Sequence, residues 1–100
     1  MKILVIGRLR ASGDVAQAIA RRADAELHAL WTLYRDGIVR EMYSPGGPGI
    51  VLVLEVTTIG TARLALADFP LVEAGVIAFE VIAPHPFGAL GMLFADTVRQ

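Results

Sequence analysis

Apolar and polar positions follow two rhythms along this chain, one of period two and one near 3.6. Lys2 to Arg10 is a short apolar run, partly β-branched, that ends in polar residues before Ser12-Gly13-Asp14. That length and ending predict a strand. Asp14 then caps a helix, with Gln17 as its reciprocal partner. Ala20, Ala23, Leu27, Leu30, Trp31 and Tyr34 recur at intervals of three and four, the apolar stripe of an amphipathic helix. Gly37 ends that helix as a left-handed cap. Ile38 to Ser44 reads as a second strand. The Pro45-Gly46-Gly47-Pro48-Gly49 cluster makes a turn or loop, and the β-branched run Ile50 to Val56 completes a hairpin. Thr57 or Thr58 caps a second helix that turns Ile59, Ala62, Leu66 and Phe69 inward and stops at Pro70. Gly75 to Ala83 is the last strand. Beyond Pro84-His85-Pro86 an apolar tail runs from Phe87 to Ala95.

This order, βαββαβ, predicts an α+β domain: one four-stranded antiparallel sheet with two helices on one face. Residues 1–100 form a single domain, with 87–100 as the apolar tail. Ile50, Leu52, Leu54 and Val56 of the third strand, with Ile77, Phe79 and Val81 of the fourth, belong under the helices. The opposite face then holds Val51, Val53, Glu55, Val76, Ala78, Glu80 and Ile82. It is mostly apolar and no helix is left to cover it, which predicts self-association through that face. On the second strand, either Val39, Glu41 and Tyr43 or Arg40 and Met42 share it. The pattern leaves both arrangements open.

Composition sharpens the expectation of an oligomer. Hydrophobic residues are 55% of the chain and charged residues only 19%, and the excess apolar surface needs a partner to bury it. No apolar run reaches the ~20 residues of a membrane span. A net charge of −1 gives no field for nucleic acid or anionic membrane. Cysteine is absent, which removes disulfides, thiolate metal sites and cysteine nucleophiles. The apolar start is too short for a signal peptide, so the expected location is the cytoplasm.

Three segments carry a family likeness. Tyr34-Arg35-Asp36-Gly37-Ile38-Val39-Arg40, Phe69-Pro70-Leu71-Val72 and His85-Pro86 resemble the corresponding stretches of the muconolactone isomerase family. There a helix ends in Arg-Glu-Gly before a strand arginine, a second helix ends in a Leu-Pro-Leu-Phe type sequence, and a His-Pro pair follows. The likeness spans roughly residues 26 to 86. It implies a ferredoxin-like subunit pairing into a dimeric α/β barrel, often within larger rings. It also implies cofactor-free isomerisation of a small unsaturated lactone by proton transfer.

Proton transfer beside a carbonyl needs a base at carbon and a group that returns the proton. A carboxylate in a half-apolar cavity suits this, because desolvation raises its pKa toward neutrality. Glu55 and Glu80, amid valine, alanine and isoleucine, are the candidates; the plainer reading pairs them with Arg8, Arg10 or Arg40. Arg40 matches the family's strand arginine and would hold a substrate carboxylate, or else forms an edge ion pair. Tyr43 would donate to a carbonyl, Trp31 would line the cavity or join the core, and His85, held between prolines, would be a second proton carrier or a surface residue. His28 reads as half of a surface pair with Asp24. No Gly-x-Gly-x-x-Gly or Walker motif occurs, and the first and third strands lack the stacking aromatics of an RNA recognition motif. No cofactor or metal is expected; only His28 and His85 are available as axial haem ligands. The lead expectation is an isomerase-like binder of a small organic acid, lactone or aromatic. The alternative is a non-catalytic structural or ligand-sensing oligomer. A cavity of about 300 Å3 or more with convergent polar groups separates them.

Overall fold

The computed structural model describes residues 1–10 and 14–94. Ser12, Gly13 and the tail from Ala95 onward lie outside the described residues. The elements are β1 (Lys2–Leu9), α1 (Val15–Arg35), β2 (Val39–Tyr43), β3 (Ile50–Glu55), α2 (Ile59–Ala67), α3 (Pro70–Glu73) and β4 (Ile77–Ile82), then a 3-10 segment at Gly88–Phe94. Asp14 caps α1 by accepting the Gln17 N–H, and Thr58 caps α2 by accepting the Thr61 N–H. Gly37 takes φ +79 after α1, where the Ile38 N–H closes onto the Leu33 carbonyl at 2.9 Å. Pro70 does more than end α2: it opens the short helix α3 at its first position, where its missing N–H costs nothing.

The strands pair antiparallel in the order β2-β3-β1-β4. Ile3, Val5, Leu52 and Leu54 are completely buried beneath the helices, with Ala62, Leu66 and Phe69 above them. Phe79 meets Phe69 edge-on, with ring centroids 5.7 Å apart. Ile50, Phe79 and Val81 also pack on this core, and Ile77 joins a smaller cluster with Leu71 and Val76. The helix-side register of β3 and β4 is therefore as expected. Val76 is the exception. It precedes β4, lies outside the strand alternation and is buried rather than on the uncovered face.

Pairing settles β2. Glu41 lies opposite Val53 and Tyr43 opposite Val51, while Val39 and Met42 lie opposite Leu54 and Leu52. Residues directly opposite share a face, so Glu41 and Tyr43 join the uncovered face. Arg40 sits at a bulge between them and Val39.

The expected dimeric α/β barrel is overturned. The sheet is open and uncurled, and it ends at β2 and β4, whose outer edges have no strand partner among the described residues. Closure needs a consistent tilt and stagger of strands around a ring. Here the four strands form one open layer in which the end strands β2 and β4 do not pair with each other, so no ring of strands closes.

α1 carries the other correction. Leu27, Trp31 and Tyr34 do not face the core; they are 64%, 56% and 45% exposed. The inward face is Val15, Ala18, Ile19, Ala29, Leu30 and Leu33.

Candidate functional site

The inward face of α1 runs through positions 15, 19, 22, 26, 30 and 33, so Arg22 and Glu26 lie on it midway along the helix. Arg22 turns back to the Ala18 carbonyl, 3.2 Å away. Glu26 reaches across to α3, where its Oε1 accepts the Leu71 N–H at 3.1 Å. That N–H belongs to the first turn of α3 and has no intrahelical acceptor. The carboxylate thus serves as a cap supplied by another element.

Glu26 also lines a cavity of about 140 Å3 between α1, α3 and the sheet. Its walls are Leu27 and Leu30, Ile50, Phe69, Leu71 and Ile77, with Gly49 at one side. Burial raises the Glu26 pKa above the ordinary carboxyl value, and the Leu71 N–H partly opposes that rise. An apolar cavity holding one carboxyl of raised pKa is an arrangement that suits proton transfer at carbon. Glu26 was not singled out from the sequence. The available signal was the second helical stripe, apolar at both ends with Arg22 and Glu26 in its middle.

The residues expected from the sequence lie elsewhere. Glu55, at the end of β3, accepts a 2.6 Å bond from the amino group of Met1, and that bond holds its pKa below the usual carboxyl range. Glu80 of β4 pairs with Arg8 of β1 at 2.6 Å, both largely exposed on the uncovered face. The Tyr43 hydroxyl donates to Glu41 at 2.5 Å, and that bond, helped by the carboxylate's charge, raises the Tyr43 pKa. Arg40 folds back so that its Nε donates to the Gly37 carbonyl at 2.7 Å. His85 is exposed beyond β4. Trp31 lies on the outer side of α1, its ring 5.9 Å from that of Tyr34. His28 makes the expected surface pair with Asp24, at 3.6 Å.

Glu80, Ile6, Val51 and Tyr43 form one row across the uncovered face. Glu80 and Tyr43 are three strand spacings apart in it, about 14 Å, so they frame the face and do not converge. A second groove, about 190 Å3, lies between α2, α3 and β4, where Arg63 stands at the edge of Leu66, Val72, Phe79 and Val81. It is more open than the Glu26 cavity. Among the described residues no three His, Asp or Glu side chains gather as a metal site, and no described helix is long and apolar enough to cross a membrane.

No protein-family model matches the chain, and no curated protein resembles it in sequence. Solved structures do resemble it. Muconolactone isomerase superposes with a TM-score of 0.69 at 20% identity, over 87% of this chain and 93% of that one. The 5-chloro-2-hydroxyhydroquinone dehydrochlorinase TftG from Burkholderia phenoliruptrix, solved with 2,5-dihydroxybenzoquinone, gives 0.64 at 18% identity over 83% and 93%. At such identities the likeness establishes the ferredoxin-like fold, and the chemistry rests on the site itself.

Proposed function

We propose that this chain binds a small, partly apolar ring, such as a lactone, quinone or aromatic acid, in the cavity beside Glu26. There it moves a proton without a cofactor, as a muconolactone-isomerase-like protein. The observation that carries this reading is the lone carboxyl of raised pKa in an apolar cavity. An engineered cavity of about 150 Å3 in another protein accepts benzene, so about 140 Å3 has room for one ring. Both fold relatives are named for acting on, or were solved with, small oxygenated compounds. Glu26 would take the proton from carbon and return it. Self-association belongs to the proposal too, supported by the apolar excess and the exposed aromatics.

The test is exchange of carbon-bound protons of muconolactone into deuterated water, followed by NMR. Loss of a general base lowers a rate by about 10²–10⁴-fold, and Glu26→Gln should do so. Unchanged exchange would refute the assignment. A different assignment makes Glu55 or Glu80 the acid/base and His85 a second proton carrier, with Arg40, Tyr43 and Trp31 orienting the substrate. Combined replacement of Glu55, Glu80 and His85 removes it if exchange persists.

A non-catalytic module is the second reading. It is favoured by the Glu26–Leu71 bond, which gives Glu26 a structural role. The cavity also falls short of the ~300 Å3 typical of ligand pockets. Neither binding nor turnover of muconolactone or 2,5-dihydroxybenzoquinone, with Glu26→Gln lowering stability through loss of the Leu71 cap, would select it.

A further inference from the structure

Two apolar surfaces of this chain are exposed and do not meet each other. One is the arm from Ala83 to Phe94, which contains no Asp, Glu, Lys or Arg. Phe87, Leu90, Met92, Leu93 and Phe94 on it are 57–80% exposed, and no residue of its 3-10 segment is buried. The other is the outer stripe of α1, where Leu27, Trp31 and Tyr34 succeed one another at four and three residues. There an open groove of about 400 Å3 is lined by Asp24, Leu27, His28 and Trp31.

We infer that the arm of one copy lies along the outer α1 stripe of a second copy, with Leu90 and Leu93 against Leu27 and Trp31. Among the described residues both surfaces are bare, and neither covers the other in cis. In a two-fold pair each copy gives one arm and receives one. Taking about 150–200 Å2 for each large side chain, the aromatic ones at the lower end of their range, full burial of two arms with these exposures would remove at most roughly 1,000–1,400 Å2 before the stripes are counted. A specific interface buries about 1,200–2,000 Å2, so the exchange meets that size. The uncovered sheet face is the rival seat. Both seats carry a polar pair, Arg8–Glu80 on the sheet face and Asp24–His28 beside the α1 groove. The apolar side chains Leu4, Ile6, Val51 and Val53 of the sheet face are already partly buried, whereas Leu27, Trp31 and Tyr34 are the more exposed. Leu27 lines both the α1 groove and the Glu26 cavity, so an arm seated there lies next to the cavity's Leu27 wall. The docking itself does not depend on what Glu26 does.

The absence of native cysteine makes the test direct. A Trp31→Cys copy and a Leu90→Cys copy are mixed and treated with a short bismaleimide, and masses are read by light scattering and denaturing gel. The expected result is an oligomer that yields the mixed crosslinked pair, with no such pair when Leu64→Cys, on the outer face of α2, replaces Trp31→Cys. Leu90→Asp/Leu93→Asp in the full chain should weaken self-association at least tenfold and leave circular dichroism unchanged, because neither side chain is in the core. Three results would each overturn the proposal: a monomeric parent chain, an oligomer unaffected by the Asp pair, or a monomer-mass crosslink in the Trp31→Cys/Leu90→Cys double variant. Because mass and crosslinking are read without turnover, a catalytically silent Glu26 would leave this result standing.

Discussion

Replacing Gly49 by alanine is expected to damage the fold far more than the same change two or three residues earlier. All three glycines sit in the loop between β2 and β3, yet their surroundings differ. Gly47 has ordinary backbone angles and nothing within 4 Å of an added β-carbon. Gly46 has φ +93 and the same empty surroundings. Gly49 has φ +118, and its added β-carbon would run into the Gly7 carbonyl oxygen of β1. A positive φ costs an L-residue about 1–2 kcal/mol. Forcing atoms into filled space adds about 1–3 kcal/mol, and a backbone oxygen within a sheet has little freedom to yield. The expected losses are therefore about 1–2 kcal/mol for Gly46→Ala and about 2–5 kcal/mol for Gly49→Ala. Gly47→Ala should be neutral or gain up to about 1 kcal/mol by restricting the unfolded chain. For a domain of this size each kcal/mol moves Tm by about 4–8 °C, so Gly49→Ala should melt at least about 8 °C lower. Thermal and urea unfolding of the three variants measure the ladder. If Gly49→Ala proves no worse than Gly46→Ala, the loop does not press on β1, and that side of the Glu26 cavity is not where it has been placed.

Other outcomes follow from the same contacts. Glu26 has a raised pKa when folded, so between its unfolded and folded values the native state binds more protons. Its contribution is complete below the ordinary carboxyl value of 4.5 and is lost as pH rises through the folded value. Parent stability minus that of Glu26→Gln should therefore fall over that window, and a flat or rising difference in urea unfolding contradicts the desolvation. Leu52→Ala, at a completely buried position, should cost about 2–5 kcal/mol without changing the urea m-value. The exposed Arg8–Glu80 pair should show a coupling energy below about 1 kcal/mol in a double-mutant cycle, smaller still in high salt. A coupling above about 2 kcal/mol would mean that the uncovered face is desolvated by a partner.

Much of the architecture was legible because local and global signals agree in it. The strands of period two, the Asp14 cap, a threonine cap on α2 (Thr57 or Thr58 by sequence, Thr58 in the structure), the Gly37 stop and the helix-side faces of β3 and β4 all follow from residue type and spacing. The face of β2 was not legible, because Val39-Arg40-Glu41-Met42-Tyr43 is apolar on neither side and a bulge shifts its alternation. The core face of α1 was misread for a physical reason. This helix has two stripes, and the outer one, with Leu27, Trp31 and Tyr34, is the more apolar by composition. The inner stripe is interrupted by Arg22 and Glu26, which sequence reasoning assigns to solvent. The same interruption hid the carboxyl that the structure places in a cavity. Glu55 and Glu80 were conspicuous as charges in apolar strands, yet each has found a cation at the surface.

The outer rim of β4, which has no strand partner among the described residues, has a further consequence for how this chain behaves in a crowded solution. Its six residues, Ile77-Ala78-Phe79-Glu80-Val81-Ile82, combine strong β-forming character with a single charge. Such a segment at the end of a sheet can add strands from other molecules and seed fibrils. Glu80 is its gatekeeper: identical strands stacked in register would bring like carboxylates within about 5 Å of one another. Removing that charge, as in Glu80→Val, would do little to the folded state and much to its solubility, shortening the lag before thioflavin-positive aggregates form.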